Sequence, residues 1–87
     1  MSDHVESEAV IKRLKRATGH LKKVIEMLEQ DMDCMKIAQQ LQAVSSAITV
    51  AKKTYIHDHV EHCLAEAKDQ KAFNSKIKEF KEITRYL

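Results

Sequence analysis

His59 and Cys63 stand four residues apart, and Cys34 is the only other cysteine in the chain. Residues at i and i+4 share one face of a helix, so this imidazole and thiol can grip a single ion. Cys34 lies twenty-five residues upstream of His59, roughly 37 Å away at the helical rise. It cannot reach the same ion within one chain. The third ligand would have to come from a second, antiparallel copy of the helix. A two-fold axis then crosses near Ala47–Ile48, where Ser45, Ser46 and Ala47 offer small side chains for close approach. Two thiolates and one imidazole form a soft set, and trigonal coordination of that kind suits Cu(I). A structural zinc site wants a fourth ligand. His62, His57, His4 or water could supply it, so Zn(II), Ni(II) and Co(II) stay open. His62 points about 100° away from Cys63 on a helix and is a poor partner for it within the chain.

The elements that must hold these residues are all helical. The chain has no proline and a single glycine, Gly19, and neither strand alternation nor hairpin dipeptides occur. One domain, residues 1–87, is expected, with helices at about 4–29, 33–67 and 70–86. In the first, Val10, Leu14, Ala17, Leu21, Val24, Ile25 and Leu28 form a stripe stepping by three and four. In the second the stripe is Cys34, Ile37, Leu41, Val44, Ile48, Ala51 and Tyr55. The third places Phe73, Ile77, Phe80, Ile83 and Tyr86 on one face. Stripes of this kind mark helices that pack on helices. A second helix of about nine turns is too long to be covered within an 87-residue chain. The expected fold is therefore all-α: a three-helix protomer that dimerises into an antiparallel helical bundle.

Composition agrees. A chain of this length, with four aromatic residues and no tryptophan, builds a marginal core and gains from self-association. No apolar run approaches membrane-spanning length. The opening residues, Met1 to Glu6, are polar and acidic, unlike a secretory leader. The thiols are expected to be reduced, in a cytoplasmic protein, and free for metal or redox chemistry.

Net charge is only +2, but from Lys12 to Lys23 the chain carries Lys12, Arg13, Lys15, Arg16, His20, Lys22 and Lys23 without an acid. Lys12, Arg16, Gly19 and Lys23 share a narrow sector with Arg13 and His20 beside it, opposite the apolar stripe. Such a face can follow a phosphate backbone, and Lys52 and Lys53 add charge on the second helix. Gly19 in mid-helix costs about 1 kcal/mol relative to alanine. Close approach of another backbone or a phosphate would explain it, as would helix packing. No helix-turn-helix pattern is present.

Taken together, Arg13-Leu-Lys-Arg-Ala-Thr-Gly-His-Leu21, Met27-Leu-Glu29, Cys34, Gln40-Leu-Gln-Ala-Val-Ser-Ser46 and His57-Asp-His-Val-Glu-His-Cys63 resemble the copper- and nickel-sensing repressors of the CsoR/RcnR type over nearly the whole chain. The resemblance implies an antiparallel dimer and a dimer of dimers. It implies binding of operator DNA without a helix-turn-helix, and release when the inducer binds. It assigns Cys34, His59 and Cys63 to the Cu(I) triad shared across the dimer. Arg13 and Lys53 fall where the family uses basic residues for DNA. Glu79 falls at a carboxylate that links the metal site to the C-terminal helix. Asp33 departs from the tyrosine common before the first ligand in copper sensors, and could add an oxygen ligand. His4 lies near the N-terminal histidine that nickel and cobalt members recruit. The family also holds persulfide and formaldehyde sensors. His59 argues against the usual persulfide pattern, and Cys63 against the formaldehyde and RcnR-like patterns.

Other functions are weaker. A thiol-redox repressor would join Cys34 and Cys63 of different chains through a disulfide or polysulfide. An enzyme built on a Cys63–His59 dyad lacks a glycine-rich loop and room for a substrate pocket. In a plain assembly bundle the cysteines would only pack.

Overall fold

Three short-range devices divide the chain. The first helix ends in a turn where Asp31 takes a left-handed φ of 51°. The Met32 N–H bonds the Met27 carbonyl at 3.0 Å and the Asp31 N–H bonds that of Leu28 at 3.2 Å. This is a Schellman closure with aspartate in the place usually taken by glycine. The Asp33 carboxylate then accepts the Lys36 N–H at 3.3 Å and starts the second helix. Asp69 does the same for the third, accepting from the Ala72 N–H at 2.7 Å. The resulting computed structural model describes residues 3–87, with side chains from Glu8 onward. It contains α1 (Asp3–Glu29), α2 (Cys34–Ala65) and α3 (Gln70–Ile83), then a 3₁₀ turn over Thr84–Tyr86. Among the described residues there is no strand.

Two helix ends differ from those expected of the sequence. The second helix stops at Ala65 rather than at 67, because the Glu66 N–H closes back on the His62 and Leu64 carbonyls and Asp69 is extended, with φ −149°. The third gives way to the tighter 3₁₀ turn after Ile83 instead of continuing to 86.

Helices α1 and α2 pack as a long antiparallel hairpin, and α3 folds back along the second half of α2. The apolar stripe of each long helix splits into two lines. Val10, Ala17 and Val24 on α1 are buried against Ile37, Val44 and Ala51 on α2. Each series steps by seven and meets the other inside the hairpin. The neighbouring line, Leu14, Leu21 and Leu28 with Leu41, Ile48 and Tyr55, stays 40–53% exposed. Phe80 alone is buried on α3.

The molecule measures 58 × 25 × 13 Å, with a radius of gyration of 17.7 Å. A compact domain of this length would have about 12 Å. A slab roughly one helix thick has two broad faces and little interior beyond the hairpin seam and the buried Phe80. Among the described residues no helix is long and apolar enough to cross a membrane.

Candidate metal centre

The two faces of the hairpin carry different chemistry. At about 100° per residue, Cys34, Leu41, Ile48, His59 and Cys63 fall within a sector of roughly 60° on α2. The exposed apolar line and the candidate soft donors therefore share one front face. Cys34 is the first residue of α2 and is exposed. His59 and Cys63 sit at its far end, both half-buried. The chain does not bring Cys34 to the other two, as the helical rise requires.

It does bring His59 and Cys63 together. The Cys63 Sγ lies 3.6 Å from His59 Nε2 and 3.9 Å from Nδ1. Donors bound to one ion at the usual zinc–nitrogen and zinc–sulfur lengths, with an angle of 110–120°, stand about 3.6–3.8 Å apart. The separation suits two donors of one ion, but the sulfur lies almost equidistant from both ring nitrogens, so the imidazole must turn to aim one lone pair at a shared metal. Tyr55 stacks on His59, with ring centroids 5.9 Å apart and planes 12° apart. This contact holds the imidazole on the front face, and such ring pairs contribute about 0.5–1.5 kcal/mol. In the sequence Tyr55 reads only as part of the apolar stripe. Its four-residue spacing from His59 is the signal that points to the stacking.

Of the flanking residues, Asp33 has a structural task as the α2 cap, next to Cys34. Glu79 is exposed on α3 and pairs with Lys76 at 3.8 Å. Lys76 lines a small recess together with Cys63, Glu66 and Ala72. Glu79 is thus joined to the surroundings of Cys63 through one lysine. His62 pairs with Glu66 at 3.0 Å. His4 lies outside the residues whose side chains are described.

The opposite face is cationic. Arg13, Arg16, His20 and Lys23 line one groove with Gly19, and its floor is Ser46, Ala47 and Val50 of α2. A Cβ on Gly19 would meet nothing within 4 Å, so packing inside the chain does not account for this glycine. His20 Nε2 donates to the Gln40 side-chain oxygen and ties the groove wall to α2. That bond joins two helices, and nothing in the sequence announces it. Ser46 and Ala47 are a correction. Their small size suggests the two-fold contact, yet they face the basic groove. The 100° step leaves Ser45, not its neighbours, on the front face. Lys12 is exposed beside the groove. Lys52 lines the apolar groove of Val10, Ile11, Leu14, Ile48 and Tyr55, and Lys53 lines a third groove between α2 and α3.

Known proteins resemble this chain in sequence and in shape. The sequence pattern of the family described as metal-sensitive transcriptional repressor matches residues 6–86. A copper-sensing transcriptional repressor, CsoR, of Mycobacterium ulcerans is 40% identical over 62 residues, covering 71% of this chain and 53% of that protein. The chain thus spans about half the length of that mycobacterial relative. The copper-sensing repressor CsoR of Bacillus subtilis is 30% identical over 84 residues, covering 92% of this chain and 83% of that one. Among solved structures, the nickel-responsive transcriptional regulator InrS superposes with a TM-score of 0.79 at 26% identity, covering 92% of this chain and 91% of its own.

Proposed function

This chain belongs to the metal-sensitive transcriptional repressor family, and from that premise we propose that it is a cytoplasmic repressor that holds operator DNA when metal-free and releases it on binding Cu(I). The observation that carries the reading is the front face of α2. It lines up Cys34, an uncovered apolar seam and a His59–Cys63 pair already 3.6 Å apart. Two such faces, laid antiparallel, bury the seam and bring Cys34 of one chain to the partner subunit's His59 and Cys63. Relatives named as copper sensors support the metal, as does the soft donor set.

Cu(I) would supply two bonds to thiolate and one to imidazole. Everything else falls to the protein. Arg13, Arg16, His20 and Lys23 approach phosphates on the back of each hairpin. Cys34, at the free start of α2, moves toward the far end of the partner's α2 when the site closes. The recess beside Cys63 contains Lys76, so closure is felt by the Lys76–Glu79 pair and by α3. Drawing the two hairpins together alters the spacing of their cationic grooves, and two such dimers in a tetramer no longer match the operator. By linkage, DNA must weaken metal binding by the same factor.

The test is an anaerobic Cu(I) titration against a competing chelator. Fluorescence anisotropy follows a duplex that the metal-free protein has selected from a random pool. The expected result is one Cu(I) per chain, with DNA released over the same range. Cys34→Ala should bind the duplex and fail to release it. Tight Cu(I) binding that leaves the complex intact overturns the reading. A Ni(II)- or Co(II)-responsive repressor is the second reading, favoured by the likeness to a nickel-responsive regulator. In that case Ni(II), not Cu(I), releases the DNA.

A further inference from the structure

His57, Asp58 and Glu61 hold a second set of metal-binding atoms on α2, one that neither the copper reading nor the DNA reading uses. One ligand atom from each lies within 4.8 Å of the others. His57 Nδ1 and Glu61 Oε1 are 3.9 Å apart. Residues 57 and 61 are one helical turn apart, and 58 is the neighbour of 57. Residue 57 is displaced by about 200° from residue 59 on the helix. The cluster therefore faces away from the thiolate pair, on the side of α2 that carries Ser46 and Val50. An i, i+4 contact alone would account for His57 and Glu61. Asp58 brings a third donor to the same point. Among the described residues no lysine or arginine is within ion-pair distance of Asp58 or Glu61. His57 is thus the side chain in ion-pair reach of Glu61, and Lys53 lines the same groove as Asp58 without pairing with it.

We propose that His57, Asp58 and Glu61 form a second cation site, chemically distinct from the thiolate site, that takes a borderline divalent ion of the Zn(II), Ni(II) or Co(II) kind and rejects Cu(I). One nitrogen and two oxygens are hard to intermediate donors, whereas Cu(I) prefers sulfur. Ligands on one such ion stand about 3 Å apart. The side chains of His57 and Glu61 are 74% and 71% exposed, free to contract by the remaining ångström, with water completing the shell. His57 and Asp58 also line the groove between α2 and α3, beside Ile56, Val60 and Phe80. An ion there pins the stretch of α2 beyond Ala51, in which no residue is fully buried. The site does not depend on the copper reading and stands if that reading fails.

The test uses the full chain with Cys34→Ser and Cys63→Ser, titrated with Co(II) and then displaced by Zn(II). One Co(II) should bind per chain with weak d–d absorption and no sulfur charge-transfer band. Adding His57→Ala should weaken binding at least ten-fold, and adding Glu61→Gln should weaken it as well. The unsubstituted protein, first loaded with Cu(I) so that its thiols are engaged, should take up the same Co(II) equivalent and lose it with His57→Ala. No Co(II) binding in either background overturns the proposal. So does binding that His57→Ala leaves unchanged.

Discussion

If the front faces of two chains pair as proposed, replacing Ile48 by aspartate should split that dimer while leaving each hairpin folded. Ile48 keeps 45% of its surface exposed in the single chain, so just over half of its burial supports the hairpin and the rest is left for a partner. Fully burying an isoleucine gains about 1.5–3 kcal/mol. Covering the exposed part therefore gains about 1 kcal/mol per chain and about 2 per dimer. Ile48 also sits near the midpoint between Cys34 and the His59–Cys63 pair, so an antiparallel arrangement sets it beside its own copy. Two aspartates about 6 Å apart repel by roughly 3 kcal/mol at an effective dielectric of 20. The total, about 5 kcal/mol, raises the dimer Kd between 10³- and 10⁴-fold. Sedimentation velocity at micromolar concentration should show a monomer with far-UV helicity close to that of the parent. Val50 is the control. It is 46% exposed, as Ile48 is, but it faces the cationic groove. Val50→Asp should leave the dimer intact and weaken DNA binding. An unaltered dimer with Ile48→Asp, or dissociation with Val50→Asp alone, would refute the assignment of faces.

Three further substitutions probe the rest of the molecule. Gly19→Ala should raise unfolding stability by about 1 kcal/mol, because nothing blocks the added methyl. It should also weaken DNA binding if a phosphate passes close there, and unchanged affinity for the selected duplex would remove Gly19 from the interface. Arg16→Ala should lower the slope of log affinity against log salt by about 0.9 for each phosphate that Arg16 neutralises. Lys52→Ala should change the slope less, since Lys52 lines a different groove. Asp31→Gly should relieve the left-handed φ of 51° and gain about 0.5 kcal/mol after the extra chain entropy of glycine. Urea midpoints at one fixed protein concentration measure it, and a destabilisation of similar size would contradict the Schellman closure.

Much of this structure is legible in the sequence for physical reasons. Helices follow from apolar residues spaced by three and four with no proline to interrupt them. The separation of Cys34 from His59 follows from the helical rise alone. The acid-free run from Lys12 to Lys23 marks the groove residues Arg13, Arg16 and Lys23 by charge alone. Periodicity does not say which half of each stripe is buried. Val44 and Leu41 are equally apolar, and only the packing of α1 makes one buried and the other exposed. The turn at Asp31 is hidden because a left-handed closure usually carries glycine. Ser46 and Ala47 mislead for a related reason. Small residues fit either a close helix contact or the floor of a groove, and a shift of one position changes the face by about 100°. The bond from His20 to Gln40 depends on how two helices align, and composition carries no trace of that.

If each soft-metal site is divided between two chains, mixed dimers will show it most directly. Chains with Cys34→Ala are co-expressed with differently tagged chains carrying His59→Ala and Cys63→Ala, and the heterodimer is isolated by tandem affinity. One of its two sites has lost every ligand, while the other keeps Cys34 from one chain and His59 with Cys63 from its partner. The expected result is one tightly bound Cu(I) per heterodimer and none at comparable affinity in either parent homodimer. Tight Cu(I) binding by a parent homodimer, or none by a folded heterodimer, would contradict the shared site.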